Sequence, residues 1–149
     1  SSGEALRHGV EAHPCIIKPN REECTSLLGR RLDTADEFRD AVLELLEKCE
    51  CVLVSDGPRG CWFGEKRGGE TRVFHGGVAD VKVVDTTAAG DALLAEFCHR
   101  YFPGREVNEE VIRYACAAGA AATTTPGAET PPMEFVDSLA SSIKVTRVV

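Results

Sequence analysis

The residues best suited to chemistry lie in a turn of small side chains between an apolar run and an alanine-rich segment. The apolar run ends at Val84, and the chain continues as D-T-T-A-A-G-D-A over residues 85–92. A helix that begins in such a turn leaves backbone N–H groups unpaired at the positive end of its dipole, which favours an anion such as a phosphate. The small side chains of Ala88, Ala89 and Gly90 leave that approach open.

Asp91 is the exception in this turn, because a carboxylate beside a phosphate site would repel the ligand. Its presence is explained if it takes a proton from an attacking hydroxyl, since phosphoryl transfer relies on positioning, charge stabilisation and often one such base. Asp91 is equally explained as an aspartate that caps the helix. The residues alone leave both interpretations open.

The elements before this turn show a strand and helix pattern. Segment 13–18 contains an apolar run that stops at a Lys-Pro-Asn sequence, which predicts a short buried strand. Residues 22–28 predict a short helix closed by a glycine, and residues 34–48 predict a second helix whose capping box is formed by Thr34 and Glu37. The first strand, these helices and the strand that follows them together form a β-α-β-like arrangement.

The middle of the chain favours strands and its end favours helices. Four apolar runs predict strands, of which the second and third suit a hairpin: residues 51–54, 61–63, 72–75 and 81–84. Three alanine-rich or amphipathic segments predict helices: residues 90–101, 108–123 and 133–142. Residues 143–149, rich in β-branched side chains, suit either a terminal edge strand or a frayed end. The expected class is therefore α/β, with a mostly parallel sheet flanked by helices.

Composition excludes several classes of protein. The 149 residues include 17 Lys and Arg against 24 Asp and Glu, a net charge of −7, which is the opposite of the balance that phosphate contacts to nucleic acid require. No apolar run approaches the roughly 20 residues of a membrane span. We expect a cytoplasmic protein without a nucleic-acid or membrane partner. Seven cysteines, an odd number in mostly apolar contexts, predict reduced and mostly buried thiols.

Four segments carry a resemblance to a known family, and they occur in that family's order. They are K-P-N-R-E-E at residues 18–23, V-S-D-G-P-R-G at 54–60, D-T-T-A-A-G-D-A at 85–92, and A-A-G-A-A at 117–121 followed by Pro126 and Gly127. These resemble the N-x-x-E, V-S-x-G-x-x-G, D-T-x-G/A-A-G-D and A-A-G-A-A…P-G elements of the ribokinase/PfkB family of carbohydrate kinases. Residues 2–6 and 17–20 are most similar to the branch containing 1-phosphofructokinase and tagatose-6-phosphate kinase.

The resemblance covers essentially all 149 residues, which correspond to the C-terminal half of such a kinase. It implies a ribokinase-like fold in which residues 1–149 form a single nucleotide-binding and catalytic portion. It also implies an ATP-dependent enzyme that phosphorylates a hydroxyl of a sugar or sugar phosphate and forms a homodimer when complete. The fragment by itself is expected to be inactive. The alternatives are a kinase of an unphosphorylated sugar, a non-catalytic nucleotide-binding domain, and a generic α/β domain without nucleotide affinity.

The resemblance also assigns roles to residues of the small-residue turn. Asp91 would be the catalytic base, and the backbone N–H groups of Ala88, Ala89 and Gly90 would bind the transferring phosphate. Asp85 and the carbonyl of Thr87, with the loop at 122–127, would supply oxygens to a monovalent cation such as K⁺.

Further roles are implied for residues earlier and later in the chain. Asn20 and Glu23 would hold Mg²⁺ through its waters, although two such residues three apart are more commonly a solvated helix start. The residues expected beside the nucleotide are Lys18, Asn20, Ser55, Gly57, Gly60, Ala118 and Ala121. Without the resemblance, the Ser55 segment is an ordinary turn and the alanines are close helix packing. Three residues depart from the commonest family pattern: Asp56 replaces a small or apolar residue, Glu96 replaces a glycine, and Ala88 stands where glycine is frequent and alanine is also seen.

Overall fold

The computed structural model describes residues 3–12, 15–127 and 129–149. Residues 2, 13 and 14, which belong to segments interpreted from the sequence, lie outside these ranges. The chain divides into two compact units. The first takes in the described part of Ser1–Gly57, with Cys61–His75 and Thr146–Val149, and the second consists of Pro58–Gly60 and Gly76–Val145.

The described residues form six α-helices and one five-stranded sheet. The helices are α1 Gly3–Glu11, α2 Arg21–Leu28, α3 Ala35–Leu45, α4 Ala89–Gly104, α5 Glu109–Ala122 and α6 Met133–Ala140. The strands are β1 Ile16–Ile17, β2 Cys51–Ser55, β3 Cys61–Arg67, β4 Glu70–Gly76 and β5 Val145–Arg147. The sheet order is β1-β2-β3-β4-β5. The terminal strand expected within 143–149 is thereby confirmed.

The expectation of a mostly parallel sheet is wrong for this chain. Only β1 and β2 are shown to pair in parallel, through the crossover formed by α2 and α3, whereas β2 and β3 pair antiparallel. The two-residue turn at Gly68 and Gly69, with φ of 56° and 83°, joins β3 to β4 as a type I′ hairpin. Val73 of β4 forms backbone hydrogen bonds with residues 148–149, which directly follow β5. The strands β4 and β5 therefore also run antiparallel. Parallel pairing needs a long crossover, and the short turns after β2 do not provide one.

The capping box expected at the start of α3 is confirmed. The Glu37 N–H donates to Thr34 Oγ1 at 3.2 Å, and the Thr34 N–H donates to Glu37 Oε1 at 3.0 Å. The predicted apolar face is buried, with Phe38 and Val42 packed into the core of the first unit. α3 lies close to β3, where Gly64 has no side chain to separate them.

The strand expected at residues 81–84 is also wrong. This segment is irregular, and Val83 and Val84 are 59% and 57% exposed. Its end is held instead by the carbonyl of Thr123, which accepts the N–H groups of Val84 at 2.6 Å and Asp85 at 3.0 Å. Residues 81–84 are therefore anchored to the end of α5 and do not pair with any strand in the described part of the chain.

The helices of the second unit begin and end close to their expected positions. α5 packs against both α4 and α6. Five of the seven cysteines are buried, as predicted, and burial raises the pKa of the Cys116 thiol to about 12. None of the helices within the described ranges combines the length and the apolar character needed to cross a membrane.

Candidate functional site

The first turn of α4 carries the small-residue motif. Ala88 is the N-cap, and its side chain makes no capping hydrogen bond. The Ala89 N–H donates to the Thr86 carbonyl at 3.3 Å. For the N–H groups of Ala88, Gly90 and Asp91 no hydrogen-bond acceptor is found among the residues that the structure describes. Unpaired donors of the kind that an anion requires are thus present at the start of α4; Ala88 and Gly90 belong to the expected set, and Asp91 takes the place of Ala89.

Asp91 lies three residues after the N-cap, on the exposed side of α4. It is not the capping residue, so helix capping does not account for its presence. Its carboxylate makes no hydrogen bond or ion pair with another described residue. An exposed, uncommitted carboxylate beside unpaired N–H groups is able to accept a proton from a bound hydroxyl.

The Asp85 carboxylate ties the turn to the loop after α5. Its Oδ1 accepts the N–H of Thr87 at 2.9 Å and the Thr87 hydroxyl at 2.5 Å, and its Oδ2 accepts the N–H of Gly127 at 2.9 Å. These hydrogen bonds, those from Thr87 before that from Gly127, lower the pKa of Asp85 below its usual value. Asp85 is therefore an ionised anchor that fixes the turn before α4.

Gly119 of α5 lies directly against this turn. A Cβ at Gly119 would be 3.3 Å from the Ala89 carbonyl oxygen and 3.3 Å from Leu93 Cβ. The glycine in the middle of the alanine run thus lets α5 approach the beginning of α4. The neighbouring Ala118 and Ala121 are buried, at 8% and 0% exposure, which is the packing role that such alanines have without any ligand.

The structure also explains the departure at Glu96. Its carboxylate pairs with the Arg100 guanidinium one turn along α4, at 2.6 Å. Arg100 lies over the ring of Tyr114 on α5, 3.4 Å from its centroid. A carboxylate replaces the expected glycine here because an arginine and an aromatic ring accommodate it between the two helices.

In the first unit, Asn20 and Glu23 form the N-terminal capping box of α2. The Glu23 N–H donates to Asn20 Oδ1 at 2.8 Å, and the Asn20 N–H donates to Glu23 Oε1 at 3.0 Å. This reciprocal arrangement accounts for both residue types by local backbone needs alone.

The segment before α2 is joined to the end of β2. The Ser55 N–H donates to the Pro19 carbonyl at 3.2 Å, and Asn20 and Ser55 form a parallel bridge. Beyond Ser55, the chain makes a 3₁₀ turn at Gly57–Arg59, with φ of 53° at Gly57 and 99° at Gly60. Both glycines adopt conformations that other residues rarely reach.

The expected site residues are thus divided between the two units. The first unit holds Lys18, which is half-buried, with Asn20, Glu23, Ser55 and Gly57. The second unit holds Gly60, Asp85, Thr87, Ala88, Ala89, Gly90, Asp91, Ala118 and Ala121. Within the first unit the structure brings Asn20 to Ser55, and within the second it brings Asp85 to Thr87.

Two contacts of the site were not anticipated. One is the bond from the Gly127 N–H to Asp85, and the other is the ion pair between Arg21 and Asp56. The resemblance placed the loop at 122–127 near Asp85, but it did not predict that the Gly127 N–H would donate to this carboxylate, 42 residues earlier. Arg21 follows Asn20 in the motif without any periodic signal of its own.

Comparison with known proteins decides the family. The family model described as "pfkB family carbohydrate kinase" matches residues 1–135. The chain belongs to the pfkB family of carbohydrate kinases. Among curated pfkB relatives, it is 34% identical over 148 residues to the 1-phosphofructokinase of Vibrio cholerae, covering 98% of this chain and 45% of the relative. It is 33% identical over 149 residues to the D-tagatose-1-phosphate kinase of Bacillus licheniformis, covering 99% of this chain and 47% of the relative.

Solved structures agree with the pfkB assignment and with an α/β, ribokinase-like fold. Two crystal structures of phosphofructokinase-2 from Escherichia coli, one in complex with substrates and products and one with potassium, give TM-scores of 0.83 and 0.82 at 28% identity. Each match covers 95% of this chain and 45% of the solved chain. This pfkB chain therefore spans about half the length of the relatives it matches.

Proposed function

We propose that this chain is the nucleotide-binding and catalytic-base part of an ATP-dependent kinase that phosphorylates a hydroxyl of a sugar phosphate. The observation that carries the proposal is the first turn of α4, where an exposed carboxylate without a described partner follows unpaired N–H groups. Membership of the pfkB family supports a carbohydrate substrate and transfer of a phosphoryl group.

In this mechanism Asp91 acts as a general base. Its carboxylate accepts the proton of the substrate hydroxyl as the hydroxyl oxygen bonds to phosphorus and the bond between that phosphorus and the leaving oxygen of the nucleotide breaks. Asp91 is exposed, and its carboxylate makes no hydrogen bond or ion pair with another described residue, so it is open to a substrate hydroxyl.

The start of α4 supplies charge stabilisation. The N–H groups of Gly90 and Asp91 and the positive end of the helix dipole face charge that grows on the transferring phosphoryl group. Asp85 keeps this turn in place through its bonds to Thr87 and Gly127, so the donors need little rearrangement. Preorganised donors are the larger part of catalysis in reactions of this class.

The metal roles follow from the same contacts. Asn20 and Glu23, which already bond to backbone N–H groups, would hold Mg²⁺ through its waters, and the ion would neutralise nucleotide charge. For K⁺, the Asp85 carboxylate is already satisfied by three donors, so carbonyl oxygens of Thr87 and the loop at 122–127 would provide the ligands. The E. coli relative solved with potassium supports including this ion.

A sugar phosphate is preferred as acceptor because relatives that cover nearly the whole chain are named 1-phosphofructokinase and D-tagatose-1-phosphate kinase. A kinase of an unphosphorylated sugar is the alternative, since the motif at residues 85–91 suits it equally. A nucleotide-binding domain without turnover is the non-catalytic alternative. We propose a homodimer for the complete enzyme.

The test compares Asp91→Asn with the parent, both in this chain and in the full-length protein that contains it. The first measurement is calorimetric titration of this chain, parent and variant, with a non-hydrolysable ATP analogue, with and without Mg²⁺. We expect Asp91→Asn to bind the analogue with nearly the same affinity as the parent under each condition. Turnover of the full-length protein with sugar phosphates is expected to fall by about 10²–10⁴-fold in Asp91→Asn.

Asp80→Asn is the matched control, because Asp80 is exposed and lies outside the α4 turn. It should retain parental turnover. Parental turnover in Asp91→Asn would refute the base assignment, and a folded parent chain without nucleotide affinity would refute the nucleotide-binding role.

A further inference from the structure

The turn after β2 contains a charge that the family pattern does not explain. Asp56 follows Ser55 directly, at a position where a small or apolar residue is common, and its side chain is only 8% exposed. A carboxylate removed from water to this degree needs a compensating charge or hydrogen bonds. It also adds negative charge next to residues proposed to meet an anionic nucleotide.

Arg21 provides a positive charge close to the Asp56 carboxylate. Its Nη1 lies 3.9 Å from Asp56 Oδ1. This contact extends the parallel pairing between the segment before α2 and the end of β2. In that pairing the Pro19 carbonyl accepts the Ser55 N–H, and Asn20 forms a bridge with Ser55. The next residues of the two segments, Arg21 and Asp56, then form the ion pair. The ion pair therefore closes the connection between the start of α2 and the end of β2.

The Arg21 guanidinium is itself held in one orientation. Its Nε donates to the Leu32 carbonyl at 2.8 Å, and its Nη2 donates to Asp33 Oδ1 at 2.6 Å. These two bonds direct the third nitrogen, Nη1, toward Asp56. The planar fork of arginine suits this task, because a lysine could not make the three contacts from fixed positions.

We propose that Arg21 is a positioning residue for the nucleotide, which holds Asp56 and offsets its charge beside the turn formed by Ser55 and Gly57. This inference rests on the proposed function, because it assumes that nucleotide phosphates approach that turn. Without Arg21, the negative charge of Asp56 would act more strongly on the phosphates across partly buried space. With Arg21 present, the guanidinium, which also pairs with Asp33, lowers the negative potential that Asp56 exerts on the ligand.

The test measures binding of two ligands to this chain by calorimetry: a non-hydrolysable ATP analogue with Mg²⁺, and adenosine, which has no phosphate. In Arg21→Gln, affinity for the ATP analogue is expected to fall about tenfold and affinity for adenosine by less than about twofold. Adding Asp56→Asn to Arg21→Gln should return the affinity for the analogue to within about threefold of the parent, because the repelling charge is gone.

Two further variants keep the result interpretable. Arg39→Gln is the matched control, since Arg39 pairs with Asp36 and Asp40 on α3, and it should bind both ligands as the parent does. Arg21→Lys retains the charge without the fork and should lose less affinity for the analogue than Arg21→Gln. If Arg21→Gln does not fold, Arg21→Lys still tests the proposal.

The outcomes separate this inference from the proposed function. Equal losses for both ligands, or no recovery on adding Asp56→Asn, would show a purely structural role and overturn the positioning role of Arg21. Parental affinity in Arg21→Gln would overturn it as well while leaving nucleotide binding intact. A folded parent chain that binds neither ligand would overturn the nucleotide-binding function and this inference together.

Discussion

Gly64 offers a direct test of how closely α3 packs on the sheet. It lies in β3 opposite Val52 of β2, and a Cβ built there would be 2.3 Å from Val42 Cγ1 and 2.9 Å from Leu46 Cδ1. Carbon atoms in contact prefer about 3.5–4.0 Å. Gly64→Ala therefore forces a displacement of more than about 1 Å between two elements whose contact residues are fully buried.

The magnitude follows from two opposing terms. Overpacking a core costs typically about 1–3 kcal/mol, and a 2.3 Å contact belongs at the upper end of that range. Replacing a strand glycine by alanine returns about 0.5–1 kcal/mol of backbone entropy. The expected net destabilisation of Gly64→Ala is about 2 kcal/mol.

The assay is urea unfolding followed by the fluorescence of Trp62, the one tryptophan of the chain, which stacks on Phe38 in the same unit. Val42→Ala removes the shorter contact and leaves the 2.9 Å contact with Leu46, so adding Gly64→Ala to Val42→Ala should cost about 1 kcal/mol. The double-mutant coupling should then be about 1 kcal/mol.

Gly9→Ala in α1 is the control, because nothing lies within 4 Å of the added Cβ, and it should stabilise by about 0.5 kcal/mol. If Gly64→Ala behaves like Gly9→Ala, the close packing of α3 on β3 is refuted.

Two further predictions concern the second unit. Because the folded-state pKa of Asp85 is lowered, its carboxylate contributes stability above the unfolded-state pKa, and this is lost as the pH falls through the folded-state pKa. Asp85→Asn should thus be less stable than the parent at pH 7, and the difference in the free energy of unfolding should shrink in acid. Urea unfolding followed by circular dichroism measures this difference. A difference that stays constant with pH would contradict the stabilising role of the ionised carboxylate. Gly119→Ala should change stability by less than about 1 kcal/mol, because helix propensity offsets its 3.3 Å contact with the Ala89 carbonyl. It should weaken binding of an ATP analogue about fivefold by displacing the α4 turn, whereas Gly104→Ala, which meets open space, should leave calorimetric affinity unchanged.

The helices could be predicted because their signals are local. The capping box at Thr34 and the spacing of apolar residues in α3 depend on residues three or four apart, and both were confirmed. The hairpin was predicted for a similar reason, because the polar residues 66–70 separate two apolar runs that lie close together in the chain. Residues 81–84 were assigned wrongly because an apolar run indicates burial in a strand only where a partner strand exists. The balance of parallel and antiparallel pairing also depends on partners distant in sequence.

The site divides in the same way. The motif around Asp91 was visible in the sequence, and family membership is confirmed by the matches over most of the chain. Its catalytic role remains a prediction. The sequence left capping as an equal explanation of Asp91, and only the position of Ala88 as N-cap removed it. For Asn20 and Glu23 the structure shows the capping box, while their part in magnesium binding remains a prediction.

By itself, the sequence determined the family, the helices and the chemical types in the motifs, because these depend on residue identity and on neighbours within a few positions. The tertiary structure decided which groups meet: Asp85 with Gly127, Gly119 with Ala89, and Arg21 with Asp56. Such contacts join residues 30 or more positions apart. Their formation depends on how helices and strands pack, since hydrogen bonds and ion pairs act over a few ångströms in space whatever the separation along the chain.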